Sequence, residues 1–231
     1  MRKYLVYFVS VLYVVVAILV IYSRIAKLPQ IENIFRPLLL TLLILWYVIG
    51  SYTRNSKINW GFMLGLFFSL VGDIFRTPFL NHFIWGLAFY LIAHVLYSFI
   101  FLWDCKGSII KSLSQGWLFV LIIFLILLSL LIGLLPGIMK QNNDIHLIAA
   151  PILVIVLLLL VLSTYVYSRV NFNNFGPLVL IGGLFFIFSD SFLAFNKFSL
   201  DIKLSSAWII GSYVLAHWFL VFGYMNSKTS N

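Results

Sequence analysis

Long apolar runs separated by short polar stretches cover almost the whole chain. A helix needs about 20 apolar residues to cross the core of a bilayer, and eight runs approach or exceed that length. They are continuous and lack the alternation of apolar and polar residues that marks a transmembrane strand. The pattern predicts an all-α integral membrane protein, with one transmembrane domain over residues 1–231. The eight predicted spans are 4–22, 37–53, 58–76, 82–103, 117–135, 146–168, 177–196 and 205–225.

Composition strengthens this prediction and indicates an orientation. Hydrophobic residues make up 63% of the chain and charged residues only 9%, against about 25% charged in soluble domains. The net charge is +9, but the basic residues lie between the apolar runs, where they anchor helices and set topology rather than bind nucleic acid. With Arg36 and Arg76 set aside as functional candidates, their distribution favours cytoplasmic termini. We expect a protein of the bacterial inner (cell) membrane.

One combination of motifs occurs twice. The sequence GLFF precedes Asp73 and recurs before Asp190, and each Asp is followed by a similar motif, YLIAH at 90–94 and YVLAH at 213–217. Coincidence between Phe- and Leu-rich helices is the alternative to duplication. The copies lie four predicted helices apart, an even number, so both halves would share one orientation in a parallel internal repeat. The expected halves are about 1–111 and 112–231.

Two carboxyl groups inside predicted spans are the leading functional candidates, because a charge at mid-bilayer costs about 2.5–3.5 kcal/mol. Helical periodicity places further polar residues beside them. We expect these faces to line a central polar cavity in which Asp73 and Asp190 meet. The neighbours predicted on the same helix faces are Ser69, Arg76, His94, Tyr97, Ser189, Tyr213 and His217.

Two facing carboxyl groups in a low-dielectric pocket cannot easily both ionise, so one is expected to keep its proton. The pair would then provide one acid and one base or charge stabiliser. Asp73 can instead form a structural ion pair with Arg76, three residues later. A metal bound by Asp and His is a further alternative, but no two candidate ligands are spaced four residues apart, and we predict no metal and no cofactor.

Several of these segments together resemble the YhhN-like membrane family, whose characterised members include lysoplasmalogenases. The chain departs from the family pattern at Arg36, where Lys is usual, at His217, where Gln is expected, and at Arg76, where an apolar residue is common. The segments that carry the resemblance are Arg36-Pro37-Leu38 with Thr41, Ser69-Leu-Val-Gly72-Asp73, Gly86-Leu-Ala-Phe89 through His94 to Tyr97, Gly183 to Ser191 with Lys197-Phe198, and, more loosely, Tyr213 to His217.

The resemblance implies a hydrolase that cleaves the vinyl ether bond of lysoplasmalogens, with Asp73 and Asp190 as catalytic groups and a lysophospholipid of the membrane as substrate. Arg36 or Arg76 would hold the phosphate, and the other polar neighbours would support the site. Two alternatives remain at this stage. One is a proton-coupled transporter or lipid carrier that uses the same buried Asp and His residues. The other is a structural membrane protein in which buried polar groups hold helices together.

Overall fold

The computed structural model describes residues 2–141, 144–172, 174–198 and 204–228. Within these ranges the chain forms nine helices and no strand, which confirms the predicted all-α class. The helices are α1 (Arg2–Ile25), α2 (Pro29–Thr53), α3 (Trp60–Phe75), α4 (Phe83–Asp104), α5 (Ile109–Gln115), α6 (Trp117–Lys140), α7 (Asp144–Val170), α8 (Gly176–Phe198) and α9 (Ser205–Ser227).

Each of the eight predicted spans lies on a helix, but the helices are not all alike. Over the described residues, seven are long and apolar enough to cross a membrane, and α3 is shorter, with 16 residues. The prediction treated residues 104–115 as a plain connection, and it was wrong there, because α5 occupies seven of those residues. A helix this short has too few turns to show an apolar period. The two-fold repeat and the division into halves remain predictions.

Local sequence determines where several helices begin and how the chain turns between them. The side chain of Asn59 accepts a hydrogen bond from the backbone N–H of Phe62 and so caps the start of α3. Pro29 opens α2, where its missing N–H costs no helical hydrogen bond. Asn55 and Asn81 have positive φ angles in the turns that precede α3 and α4, a conformation that Asn tolerates better than most residues.

Contacts between helix ends define two faces of the bundle. At one end the Phe79 N–H donates to the Asn33 side chain, and the Gln141 side chain donates to the Lys197 carbonyl. This end, which joins α1 to α2, α3 to α4, α6 to α7 and α8 to α9, is called the site face. At the opposite face Lys228 pairs with Asp104 at 2.8 Å, so the end of α9 lies beside the end of α4.

The helices that carry the repeated motifs pack in two pairs, α3 along α4 and α8 along α9. Gly72 permits the close approach of α3 and α4, since a Cβ there would lie 2.5 Å from the Tyr90 ring and 3.2 Å from the Gly86 carbonyl. Gly182 does the same for α8 and α9, where a Cβ would lie 2.9 Å from the Ala216 carbonyl. Small residues at such crossings are typical of membrane helices.

Candidate active site

Both repeated aspartates line one small cavity, which lies near the site face. Side chains from α1, α2, α3, α4, α8 and α9 surround it. Its space is about 20 Å³, which is enough for roughly one water molecule. Six of the predicted site residues are among those that line it: Arg36, Asp73, Arg76, Ser189, Asp190 and Tyr213.

Asp73 lies in the last turn of α3, fully buried, with an ordered set of donors. The Arg36 Nε donates to its Oδ1 at 3.2 Å, and the Tyr90 hydroxyl donates to the same oxygen at 2.7 Å. The Tyr213 hydroxyl donates to Oδ2 at 3.1 Å. An opposite charge and hydrogen bonds to both oxygens stabilise the ionised form of a carboxyl group.

Arg36, rather than Arg76, is the cation that pairs with Asp73. The alternative pairing within α3 is therefore wrong, because α2 delivers a buried guanidinium directly to Oδ1. Arg36 is also held by Glu32 at 3.2 Å and donates to the Arg76 carbonyl at 3.3 Å. Glu32 in turn accepts from Arg24 with both oxygens at 3.0 Å. Nε and Nη1 of Arg36 are thus occupied by partners within the protein.

Asp190 has very different surroundings in the same cavity. It is 6% exposed, and among the residues that the structure describes none donates a hydrogen bond to its carboxyl group. The His94 Nδ1 lies 3.8 Å from its Oδ2, too far for a hydrogen bond. The neighbouring Ser189 hydroxyl is turned away and donates to the Ile209 carbonyl at 3.0 Å. Burial without donors disfavours a charged carboxylate.

The two repeated histidines lie beside the cavity rather than in its lining. Each ring meets Phe186 edge-to-face, with ring centroids 4.7 Å apart in both cases. The His217 Nδ1 donates to the Tyr213 carbonyl at 3.2 Å, while its Nε2 and the His94 Nδ1 are buried without a hydrogen-bond partner in the described part of the chain. His94 is therefore a neighbour of Asp190, and His217 supports the helix that carries Tyr213.

Two predicted site residues lie away from the cavity. The Ser69 and Tyr97 hydroxyl groups meet at 3.4 Å and both are buried, with Ser69 one turn before Asp73 on α3 and Tyr97 two turns after Tyr90 on α4. Neither lines the cavity. They join the two helices, which is a packing function that helical periodicity alone does not distinguish from a catalytic one.

The prediction omitted two residues of the cluster, Tyr90 and Glu32. Tyr90 is absent from the predicted site residues, although it occupies the same place in YLIAH as Tyr213 does in YVLAH. Comparison of the two motif copies was the signal that would have identified it. Glu32 lies four residues before Arg36, the spacing of a helical ion pair, and at 3% exposure it is almost fully buried.

The cluster differs from a typical metal centre. Within the described ranges, no three His, Cys, Asp or Glu side chains converge as ligands of one metal ion would. The groups that do converge are two carboxyls, two guanidiniums and two phenols. This set can donate and accept protons, hold one of its own carboxyl groups as a fixed negative charge, and exclude nearly all water.

The comparisons with known proteins support one family. No curated protein and no solved structure matches the chain. The family match begins just before Glu32, ends at Tyr224 and therefore contains every group that lines the cavity except Val20. Since it covers residues 31–224, most of the sequence, the chain belongs to the YhhN family.

Proposed function

We propose that this protein is an intramembrane lipid hydrolase that cleaves the vinyl ether bond of lysoplasmalogens by two-aspartate acid–base chemistry. Membership of the YhhN family supports this class of activity. The observation that carries the mechanism is the unequal pair of carboxyl groups beside one water-sized cavity. With the termini in the cytoplasm, as the sequence predicts, the site face is the outer face of the membrane.

Asp190 serves as the acid. It is buried without a hydrogen-bond donor among the described residues, so its neutral form is favoured and carries a proton. A vinyl ether is hydrolysed by proton transfer to the alkenyl carbon that is not bonded to oxygen. Asp190 delivers this proton and becomes a carboxylate, and the positive charge is shared between the ether oxygen and its carbon as an oxocarbenium ion.

Asp73 serves as the charge stabiliser and base. Arg36, Tyr90 and Tyr213 hold it as a fixed carboxylate. A fixed negative charge stabilises the oxocarbenium ion without reorganising during the reaction. Asp73 then takes a proton from the cavity water as the water oxygen attacks the cation, which gives a hemiacetal. The hemiacetal hydroxyl returns a proton to Asp190, Asp73 protonates the departing glycerol oxygen, and the free aldehyde leaves with both carboxyl groups restored.

The two alternatives from the sequence fit the geometry less well. A carrier of this kind requires discontinuous helices at its binding site, whereas α3, α4, α8 and α9 each run without a break through the described residues around the cavity. A purely structural function predicts that Asp73 is neutralised by Arg76 and that no cavity forms. Asp73 pairs with Arg36 instead, and a cavity is present.

Aldehyde release from a lysoplasmalogen by the purified protein in detergent tests the proposal. We expect release by the wild type and a loss of about 10²–10⁴-fold in Asp190→Asn and in Asp73→Asn, the range of general acid–base contributions. Asp104→Asn is the matched control, because it makes the same change at the opposite face, and it should retain activity. A strong chelator should leave the rate unchanged.

The isotope content of the product separates this chemistry from other cleavages. In D₂O the aldehyde should carry a single deuterium on the carbon next to the carbonyl, because the acid protonates that carbon. An aldehyde without deuterium would contradict the mechanism, and no aldehyde from a folded wild-type protein would contradict the proposed function itself.

A further inference from the structure

Arg76 is a partly buried cation with one buried, unused donor. Its Nη1 is fully buried and has no hydrogen-bond partner in the part of the chain that the structure describes. The guanidinium lies over the Phe83 ring at 5.0 Å, a contact that occupies its face but not its N–H groups. Arg36, by contrast, uses its Nε and Nη1 on Asp73, Glu32 and the Arg76 carbonyl. Arg76 thus keeps a buried donor for a ligand.

Arg76 also lies at the boundary between two cavities. A second cavity, of about 220 Å³, shares Arg76 and Leu193 with the aspartate cavity and lies among helix ends of the site face. We call this second cavity the vestibule. Among the described residues its lining contains three cations, two amides and no carboxyl group: Arg24, Arg76, Pro78, Asn81, Phe83, Leu193, Asn196 and Lys197.

The charge balance around the vestibule favours an anion. Arg24, Arg36, Arg76 and Lys197 face three carboxyl groups, those of Glu32, Asp73 and Asp190. Counted over the residues that the structure describes, one positive charge remains uncompensated when all three carboxyl groups are ionised, and two remain when Asp190 carries its proton. Guanidinium and ammonium groups beside amide donors are the protein groups that bind phosphate.

We infer that the vestibule binds the phosphate of the lipid headgroup, with Arg76 as the principal ligand and Lys197 as a supporting charge. This inference rests on the proposed function and deepens it. The phosphate and the vinyl ether of a lysoplasmalogen are attached to opposite ends of the same three-carbon glycerol. Because Arg76 borders both cavities, phosphate bound to it places the alkenyl ether on the aspartate side, past Leu193.

Binding of non-hydrolysable lipids tests the inference without relying on turnover. The probes are 1-O-hexadecylglycerol 3-phosphate and 1-O-hexadecylglycerol, which share a saturated ether chain and differ only in the phosphate. We expect wild type to bind the phosphorylated lipid at least about tenfold more tightly, the value of one charge-assisted hydrogen bond. Arg76→Gln should remove most of this preference, and Lys140→Gln, which removes an exposed charge from the same face outside the vestibule, should retain it.

Lys197→Gln provides a second variant in case Arg76→Gln fails to fold, because Lys197 is exposed. It should weaken the phosphate preference by a smaller factor. Equal affinity of wild type for the two lipids, or a full preference in both vestibule variants, would overturn the inference. Competition by inorganic phosphate would support a site for free phosphate as well as lipid, and lack of competition beside a clear lipid preference would support the headgroup alone.

The same measurements separate this inference from the proposed function. A phosphate-dependent affinity in a protein that releases no aldehyde would retain the vestibule and reject the hydrolase. Aldehyde release with no effect of phosphate on binding would retain the hydrolase and reject the vestibule as a phosphate site.

Discussion

Asp73 and Asp190 follow the same four-residue motif and line the same cavity, yet their surroundings differ in almost every respect. Asp73 is bound by one guanidinium and two phenols, which come from α2, α4 and α9. Asp190 has a histidine nitrogen at 3.8 Å and, among the described residues, no hydrogen-bond donor. The comparison teaches that a repeated motif sets where a carboxyl group lies, while its neighbours from other helices set what it can do.

The predicted repeat offers an origin for the difference between the two aspartates. In that repeat α7 corresponds to α2, and both helices contain an internal proline, Pro151 in α7 and Pro37 in α2. The residue before the proline is Arg36 in α2 but Ala150 in α7. In addition, the equivalent tyrosines of the two halves, Tyr90 and Tyr213, both turn to Asp73. On this predicted repeat, the second half has no counterpart of Arg36, and its phenol bonds the other carboxylate.

The largest effect should come from exchanging each carboxyl group for an amide and measuring stability. Asp73→Asn leaves the Arg36 guanidinium short of its buried partner and should lower the free energy of unfolding by about 3 kcal/mol. Asp190→Asn removes no ion pair with a guanidinium and should cost less than about 1 kcal/mol, the usual value of a single neutral hydrogen bond. Denaturant titration in mixed micelles compares the two, and equal losses would contradict the difference between the two sites.

A smaller effect should follow when the phenol donors are removed. Tyr90→Phe removes one of the two donors to Asp73 Oδ1, and Tyr213→Phe removes the described donor to Oδ2. Each change should cost about 1.5–3 kcal/mol in transition-state stabilisation, the value of a hydrogen bond to a charged group. Their effects on kcat/KM should be less than additive with Asp73→Asn. Tyr97→Phe is the matched control, since Tyr97 contacts Ser69 rather than a carboxylate, and its kcat/KM should stay near that of wild type.

The smallest effects should distinguish the two histidines. His94→Gln changes the imidazole whose Nδ1 lies 3.8 Å from Asp190 and should lower kcat by about tenfold through misplacement of the proposed acid. His217→Gln should leave the rate near that of wild type, because the ring bonds only a backbone carbonyl of its own helix. A complete loss of activity in His217→Gln would instead indicate that this histidine takes part in proton transfer.

Much of the architecture follows from the sequence because long apolar runs have few alternatives in a membrane. All eight predicted segments lie on helices, seven of them long and apolar enough to cross a membrane among the described residues. Helical periodicity and the repeated motifs point to Asp73, Asp190 and Tyr213, which line one cavity. The pairing of Arg36 with Asp73 could not be found this way. The pairing joins residues 37 positions apart on two helices. Helical periodicity relates only residues that are close in sequence, so it suggests Arg76 as the partner.

Tyr90 and the Ser69–Tyr97 contact show a second limit of sequence. A tyrosine on a buried helix face packs through its ring and bonds through its hydroxyl, and the pattern is the same whether that hydroxyl meets a carboxylate or a serine. Tyr90 and Tyr97 lie two turns apart on one face of α4. The end of α3 places Asp73 against the first and Ser69 against the second.

The short length of α3 has a consequence for the surrounding bilayer. Its 16 residues span about 24 Å at 1.5 Å per residue, against a hydrocarbon core of about 30 Å. A membrane helix shorter than the hydrocarbon core can be matched by local thinning of the bilayer. On the proposed function, such thinning around α3 would bring the glycerol region of the lipid layer to the depth of Asp73, which lies in the last turn of α3. A single-chain substrate would then reach the site from its own leaflet.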